Sequence, residues 1–168
     1  GNHGTLENGA SFAPGKVDQA FRFDGEDDWV LAPGEGLNDL QELTIEAWVM
    51  ISDMPEGQIQ RFVTLTGEKA VLRHDGENNM GQLHFYMNFG ELDPNDDLYH
   101  IRVNGVLEIG VFYHVAGTYD GSVMRLYLDG VLVWSKDVIR TVCEGSAVEL
   151  SSDVEPLSGL LDEVSVYN

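Results

Sequence analysis

From Val111 to Lys136 the chain reads VFYHVAGTYDGSVMRLYLDGVLVWSK, and apolar and polar side chains largely exchange places from one residue to the next. That period of two belongs to a strand with one buried face and one wet face. Met124, Leu126 and Leu128 share one face, with Arg125, Tyr127 and Asp129 on the other. Asp120-Gly121 and Asp129-Gly130 interrupt the pattern where the chain must reverse, and Asp-Gly supplies the positive φ angles of a type I′ turn. Three consecutive antiparallel strands are predicted, at roughly 111–119, 122–128 and 131–136.

The same alternation runs through the rest of the chain. Residues 1–18 are rich in Gly and Asn and read as an irregular entry with one edge strand. Strands are predicted at Gln19–Phe23, Asp28–Ala32 and Leu43–Ile51, the last placing Leu43, Ile45, Ala47, Val49 and Ile51 on one face. Ala32 to Glu42 is a loop with room for one helical turn. Further strands are predicted at Arg61–Thr66, Ala70–Arg73 and Gln82–Phe89, where Leu83, Phe85, Met87 and Phe89 point inward and His84, Tyr86 and Asn88 outward. Tyr99–Val103 and Val106–Leu107 read as a hairpin about Asn104-Gly105, followed by Val148–Leu150 and a final strand at roughly 160–167. Many short strands with one apolar face each, and no helix, predict an all-β fold: a two-sheet antiparallel β-sandwich.

Composition narrows the partners. The 168 residues carry 29 acidic against 9 basic side chains, a formal net charge of −20. Such a surface repels phosphate backbones and anionic lipid headgroups, so nucleic acid and membrane surfaces are disfavoured. No apolar run approaches the roughly 18 residues of a membrane span. Cys143 is the single cysteine, which rules out an intrachain disulfide and a thiolate zinc site. The length suits one domain over 1–168, and a start on Gly1 in mid-motif reads as a piece of a larger multidomain protein.

Five blocks together carry a resemblance: GNHGTLENGA, GKVDQAFRFDGEDDWV, LTIEAWV, HVAGTYDGSVMRLYLDG and GLLDEVSVYN. In order and spacing they resemble the bacterial laminin-G-like domains of the concanavalin A-like lectin/glucanase superfamily. The resemblance implies a jelly roll and a binding or adhesion module of a secreted or cell-surface protein. Its implied partners are a glycan or a cell-surface protein, and the 54–104 region, which matches nothing definite in the family, is where the ligand would be chosen.

Candidate chemistry follows from both readings. The FDGEDDW turn offers Asp24, Asp27 and Asp28, and LDEVSVY offers Asp162; carboxylates and turn carbonyls are the oxygens calcium takes. First and last strands pair at the edge of many jelly rolls of this type, which would bring Asp24, Asp27 or Asp28 near Asp162, and the resemblance implies a structural calcium beside the C-terminal strand. Asp24, Asp28 and Asp162 are therefore the expected metal ligands, with turn formation and backbone hydrogen bonding as the plainer roles. In the acidic loop, Asp93, Asn95 and Asp97 have the spacing that opens a calcium loop, but the following Gly and Glu are missing, so the EF-hand reading fails. Asp93, Asn95 and Asp96 are instead candidates for sugar hydroxyls, with Tyr86 and Trp134 as aromatic contacts. Catalysis is not expected: no Glu-x-Asp-x-Glu strand, HExxH or GxSxG occurs.

Overall fold

The computed structural model describes residues 3–34, 36–37, 40–76, 81–89, 99–140 and 147–168. Its strands are β1 (Thr5–Glu7), β2 (Ser11–Pro14), β3 (Gln19–Asp24), β4 (Trp29–Pro33), β5 (Leu43–Ile51), β6 (Ile59–Leu65) and β7 (Ala70–Asp75). They continue as β8 (Leu83–Met87), β9 (His100–Val103), β10 (Phe112–Tyr119), β11 (Val123–Leu128), β12 (Val131–Asp137), β13 (Ala147–Ser151) and β14 (Ser158–Tyr167). The entry segment holds two strands rather than one, β1 and β2, which form edges of different sheets. Val106 and Leu107 form no strand: both donate their N–H to the Gly81 carbonyl instead of closing a hairpin. Among the described residues no helix occurs, and none is long and apolar enough to cross a membrane.

The strands make two seven-stranded antiparallel sheets, ordered β1-β4-β13-β6-β7-β8-β9 and β12-β11-β10-β5-β14-β3-β2. The predicted β-sandwich is thus the fold. In β5 burial alternates residue by residue, because one face meets the other sheet and the other face meets water. Ile45, Phe62, Leu72, Phe85, Tyr119 and Leu161 belong to the core between the sheets. Gly117 is required there, since a Cβ on it would lie 2.5 Å from the Phe85 ring.

The two Asp-Gly reversals differ. Asp129 and Gly130 both have positive φ (49° and 77°), as a type I′ turn demands. At the other, Asp120 keeps a negative φ, and its carboxylate accepts the N–H groups of Ser122 (3.0 Å) and Val123 (2.8 Å) and pairs with Arg125. Its carboxylic pKa falls well below the usual range for that reason, the Arg125 hydrogen bond first. In β12 a bulge follows the tight turn: Leu132 pairs with Tyr127 but Trp134 with Leu126, so Val133 is the extra residue. A second bulge in β14 sets Glu163 and Val164 between Asp162, opposite Trp48, and Ser165, opposite Glu46.

Candidate functional site

Strand register brings four charged or ionisable side chains into one row across the first sheet. Arg61 pairs with Arg73, Arg73 with His84, and His84 with Arg102. All four are out of phase with the core residues Leu72, Phe85 and Ile101, so they project from the outer face. Long charged side chains at adjacent positions then pair with one another. Arg61 binds Glu68 (2.5 Å) and, through Nε, Glu155. Arg73 spans Glu155 (3.5 Å) and Asp75 (3.1 Å), and donates from Nε to His84 Nδ1 (3.1 Å).

Proton positions along this chain follow from the donors. A guanidinium can only donate, so His84 Nδ1 accepts and its hydrogen sits on Nε2. Nε2 donates to His100 Nδ1 at 2.9 Å, which also accepts from Arg102 at 3.1 Å. Burial, joined by the positive charges of Arg73 and Arg102, holds the His84 pKa down at about 4, against the pull of Asp75. Tyr86 stacks on His100 at 4.9 Å and lies under the Arg73 guanidinium at 5.1 Å. Burial pushes its phenol up to about 12.

The row ends at a groove of about 380 Å³ between the edge strands of the two sheets. His100, Ile101 and Arg102 line it from β9; Trp134, Ser135 and Lys136 line it from β12. Trp134 is 52% exposed. Without the bulge at Val133, Trp134 would pair with Arg125 and face away; the extra residue turns it toward β9. The groove therefore presents an indole beside imidazole, guanidinium, hydroxyl and ammonium donors. A second opening, about 460 Å³, lies between the sheets and is lined mainly by apolar side chains such as Phe21, Leu37 and Val164; it touches none of the expected site residues.

The expected ligand residues divide. Trp134 lines the groove, and Tyr86 lies behind it, 8% exposed and stacked on His100. Asp93, Asn95 and Asp96 lie outside the described residues, as does Cys143. Arg61, Arg73, His84, His100 and Arg102 were not among the expected residues. The signal for them was their period-two phase within β6 to β9, which becomes a site only once the strands are in register.

The three expected metal ligands do not converge. β3 does pair with β14, but Asp24 stands opposite Ser158, and Asp162 is four residues further along, roughly 13 Å away at ~3.3 Å per residue. Buried Asp162 accepts the N–H of Val17 (2.7 Å) on one oxygen and of Glu163 (2.9 Å) on the other. A carboxylate serving two N–H groups anchors the turn before β3, and among the described residues no group of three ligating side chains forms. The calcium that the resemblance implies beside the last strand does not fit Asp162 in this arrangement. Asp24 and Asp28 do lie together: Asp28 Oδ2 accepts the Asp24 N–H at 3.0 Å.

Comparison with known proteins agrees with the architecture. Domain 4 of AbnA, an extracellular arabinanase of Geobacillus stearothermophilus solved with arabinotriose, superposes with a TM-score of 0.72 at 16% identity, covering 98% of this chain and 82% of that one. The carbohydrate-binding module CBM66 of Bacillus subtilis gives 0.57 at 14% identity, over 98% and 95% of the two chains. The receptor-binding domain of botulinum neurotoxin mosaic serotype C/D gives 0.77 at 11% identity, and there this chain spans 42% of the other's length. A search of curated protein sequences finds no match. The family model that matches covers residues 24–168, and by it the chain belongs to the concanavalin A-like lectin/glucanases superfamily.

Proposed function

We propose that this domain is a non-catalytic glycan-binding module of a secreted or cell-surface protein, and that the groove between β9 and β12 receives the sugar. One observation carries the reading: a half-exposed indole, re-aimed by a bulge, stands across a groove from Arg102 and His100 with Lys136 beside it. Sugar recognition needs an apolar face for the ring and fixed polar groups for its hydroxyls, and the groove offers both. The buried network from Arg61 to His100 supports the donors from behind, which fixes their positions before a ligand arrives. The arabinotriose complex and the carbohydrate-binding module among the similar structures support the same reading.

The test is a glycan-array screen of the domain beside its Trp134→Ala variant. A defined glycan should bind the parent, and the variant should lose about tenfold or more in affinity, as loss of a central aromatic contact does. Binding undiminished in the variant would move the site elsewhere. Silence across a broad array would favour a protein partner, for which Val131, Leu132 and Ile139, 50–76% exposed along and just beyond β12, are the supporting feature.

A further inference from the structure

The groove between β9 and β12 has a charge that runs against the rest of the chain. Acidic side chains outnumber basic ones 29 to 9 over the whole sequence. Arg102 and Lys136 nevertheless line the groove, and among the described residues that line it no Asp or Glu does. Register sets this local sign. His100 and Arg102 stand two residues apart on β9, and Trp134 and Lys136 two apart on β12, so each pair shares one side of its strand. The groove also gives hydrogen bonds more readily than it takes them. Guanidinium, ammonium and indole N–H groups only donate. His100 Nδ1 accepts from Arg102 and from His84 Nε2, so its imidazole carries the hydrogen on Nε2 and donates there. Of the lining side chains, the Ser135 hydroxyl is the one with accepting capacity left.

Resting on the glycan reading of this groove, we infer that its ligand is an acidic sugar: the carboxylate of a hexuronate residue meets Arg102 and Lys136 while the sugar ring lies against Trp134. A neutral sugar brings hydroxyls that must donate as well as accept, and here they would find a single side-chain acceptor. A carboxylate only accepts, and it takes two parallel N–H groups from a guanidinium. The bond from Arg102 to His100 Nδ1, at 3.1 Å, fixes the plane of that fork beside the groove, and fully buried His84 holds His100 in turn. The negative surface elsewhere repels an acidic glycan, which confines its contact to this groove and makes the local cations decisive.

The experiment is calorimetric titration of the domain with oligogalacturonate and oligomannuronate, with the methyl esters of both, with neutral oligosaccharides and with a sulfated galactan oligosaccharide. A uronate should bind, and its methyl ester, which keeps the ring and loses the charge, should bind about tenfold or more weakly. Raising salt from about 0.05 to about 0.5 M should weaken the uronate several-fold by screening. Arg102→Gln should lower uronate affinity about tenfold or more. If that variant does not fold, Lys136→Gln should lower it several-fold, while Arg22→Gln, an exposed cation outside the groove, should leave it unchanged. Binding of a neutral oligosaccharide or a methyl ester as tight as that of the acid, and lost in Trp134→Ala, would overturn the acidic ligand and leave the glycan reading standing. Binding of the sulfated galactan alone would overturn the carboxylate. Silence toward every sugar would remove the glycan reading and this inference with it.

Discussion

Stability should fall on mild acidification through one imidazole. His84 is fully buried, with Arg73 donating to its Nδ1, Asp75 3.2 Å from the same nitrogen, and His100 accepting from its Nε2. Its folded pKa lies at about 4 against an ordinary 6.5. Because the folded value is the lower one, the unfolded chain binds the extra proton between those two pH values. His84's contribution is therefore complete above pH 6.5 and is lost as pH falls toward 4. The whole interval corresponds to about 3 kcal/mol, and the part between pH 6.5 and 5 to about 2 kcal/mol. Carboxylates protonating in the same range relieve the −20 charge and push the other way, so the parent's curve alone does not isolate the effect.

His84→Gln, compared with the parent by urea unfolding at pH 7.5 and 5.0, removes that background. The variant is less stable at pH 7.5, since it breaks a buried network. The gap should narrow by about 2 kcal/mol at pH 5.0, which is about 1 M in urea midpoint for a slope near 2 kcal/mol/M. A gap constant to within about 0.5 kcal/mol at the two pH values would show that His84 is not the buried neutral imidazole described here.

Two further perturbations probe packing away from the groove. Gly117→Ala places a Cβ 2.5 Å from the Phe85 ring and should cost about 1–3 kcal/mol by overpacking. Combining it with Phe85→Leu should cost less than the two single changes added together; strict additivity in urea unfolding would mean that the sheets do not meet at this point. Tyr119→Phe removes a hydroxyl that stands 2.9 and 2.6 Å from the Val138 and Arg140 carbonyls and accepts the Arg140 N–H at 2.9 Å. It should cost about 1–3 kcal/mol and speed amide hydrogen exchange at Arg140; unchanged exchange there would contradict the tie.

What the chain disclosed in advance, and what it did not, divides at register. β5 was legible from Leu43 to Ile51 because water wets one face and the other sheet covers the other, so burial copies the alternation of residue types. β8 carries the same alternation, yet all five of its residues are buried, because salt-bridged side chains from neighbouring strands and from Glu155 lie over its outer face. No single strand's sequence contains that cover. The expected pairing of the first strand with the last at a sheet edge does not occur: β1 lies in the other sheet and β14 is interior, between β5 and β3; nor was the offset that parts Asp24 from Asp162 legible, since a strand slides along its partner in steps that the apolar pattern constrains only by parity.

The same parity argument explains Trp134. Counting from the Asp129-Gly130 turn places its side chain opposite Arg125, on the outer face of the second sheet. One unpaired residue, Val133, reverses this and sets the indole opposite Leu126, over the edge of the first sheet. Val133 is partly buried against the core, so the energy that fixes the bulge comes from packing and not from any local turn signal. The groove thus depends on a pairing irregularity that alternation cannot announce. Deleting Val133 should restore the regular ladder with Trp134 still opposite Leu126, so the proposed glycan binding should survive while the core contact of Val133 is lost and stability falls. Loss of binding by a folded Val133 deletion would show that recognition needs the bulge itself and not only the face on which Trp134 stands.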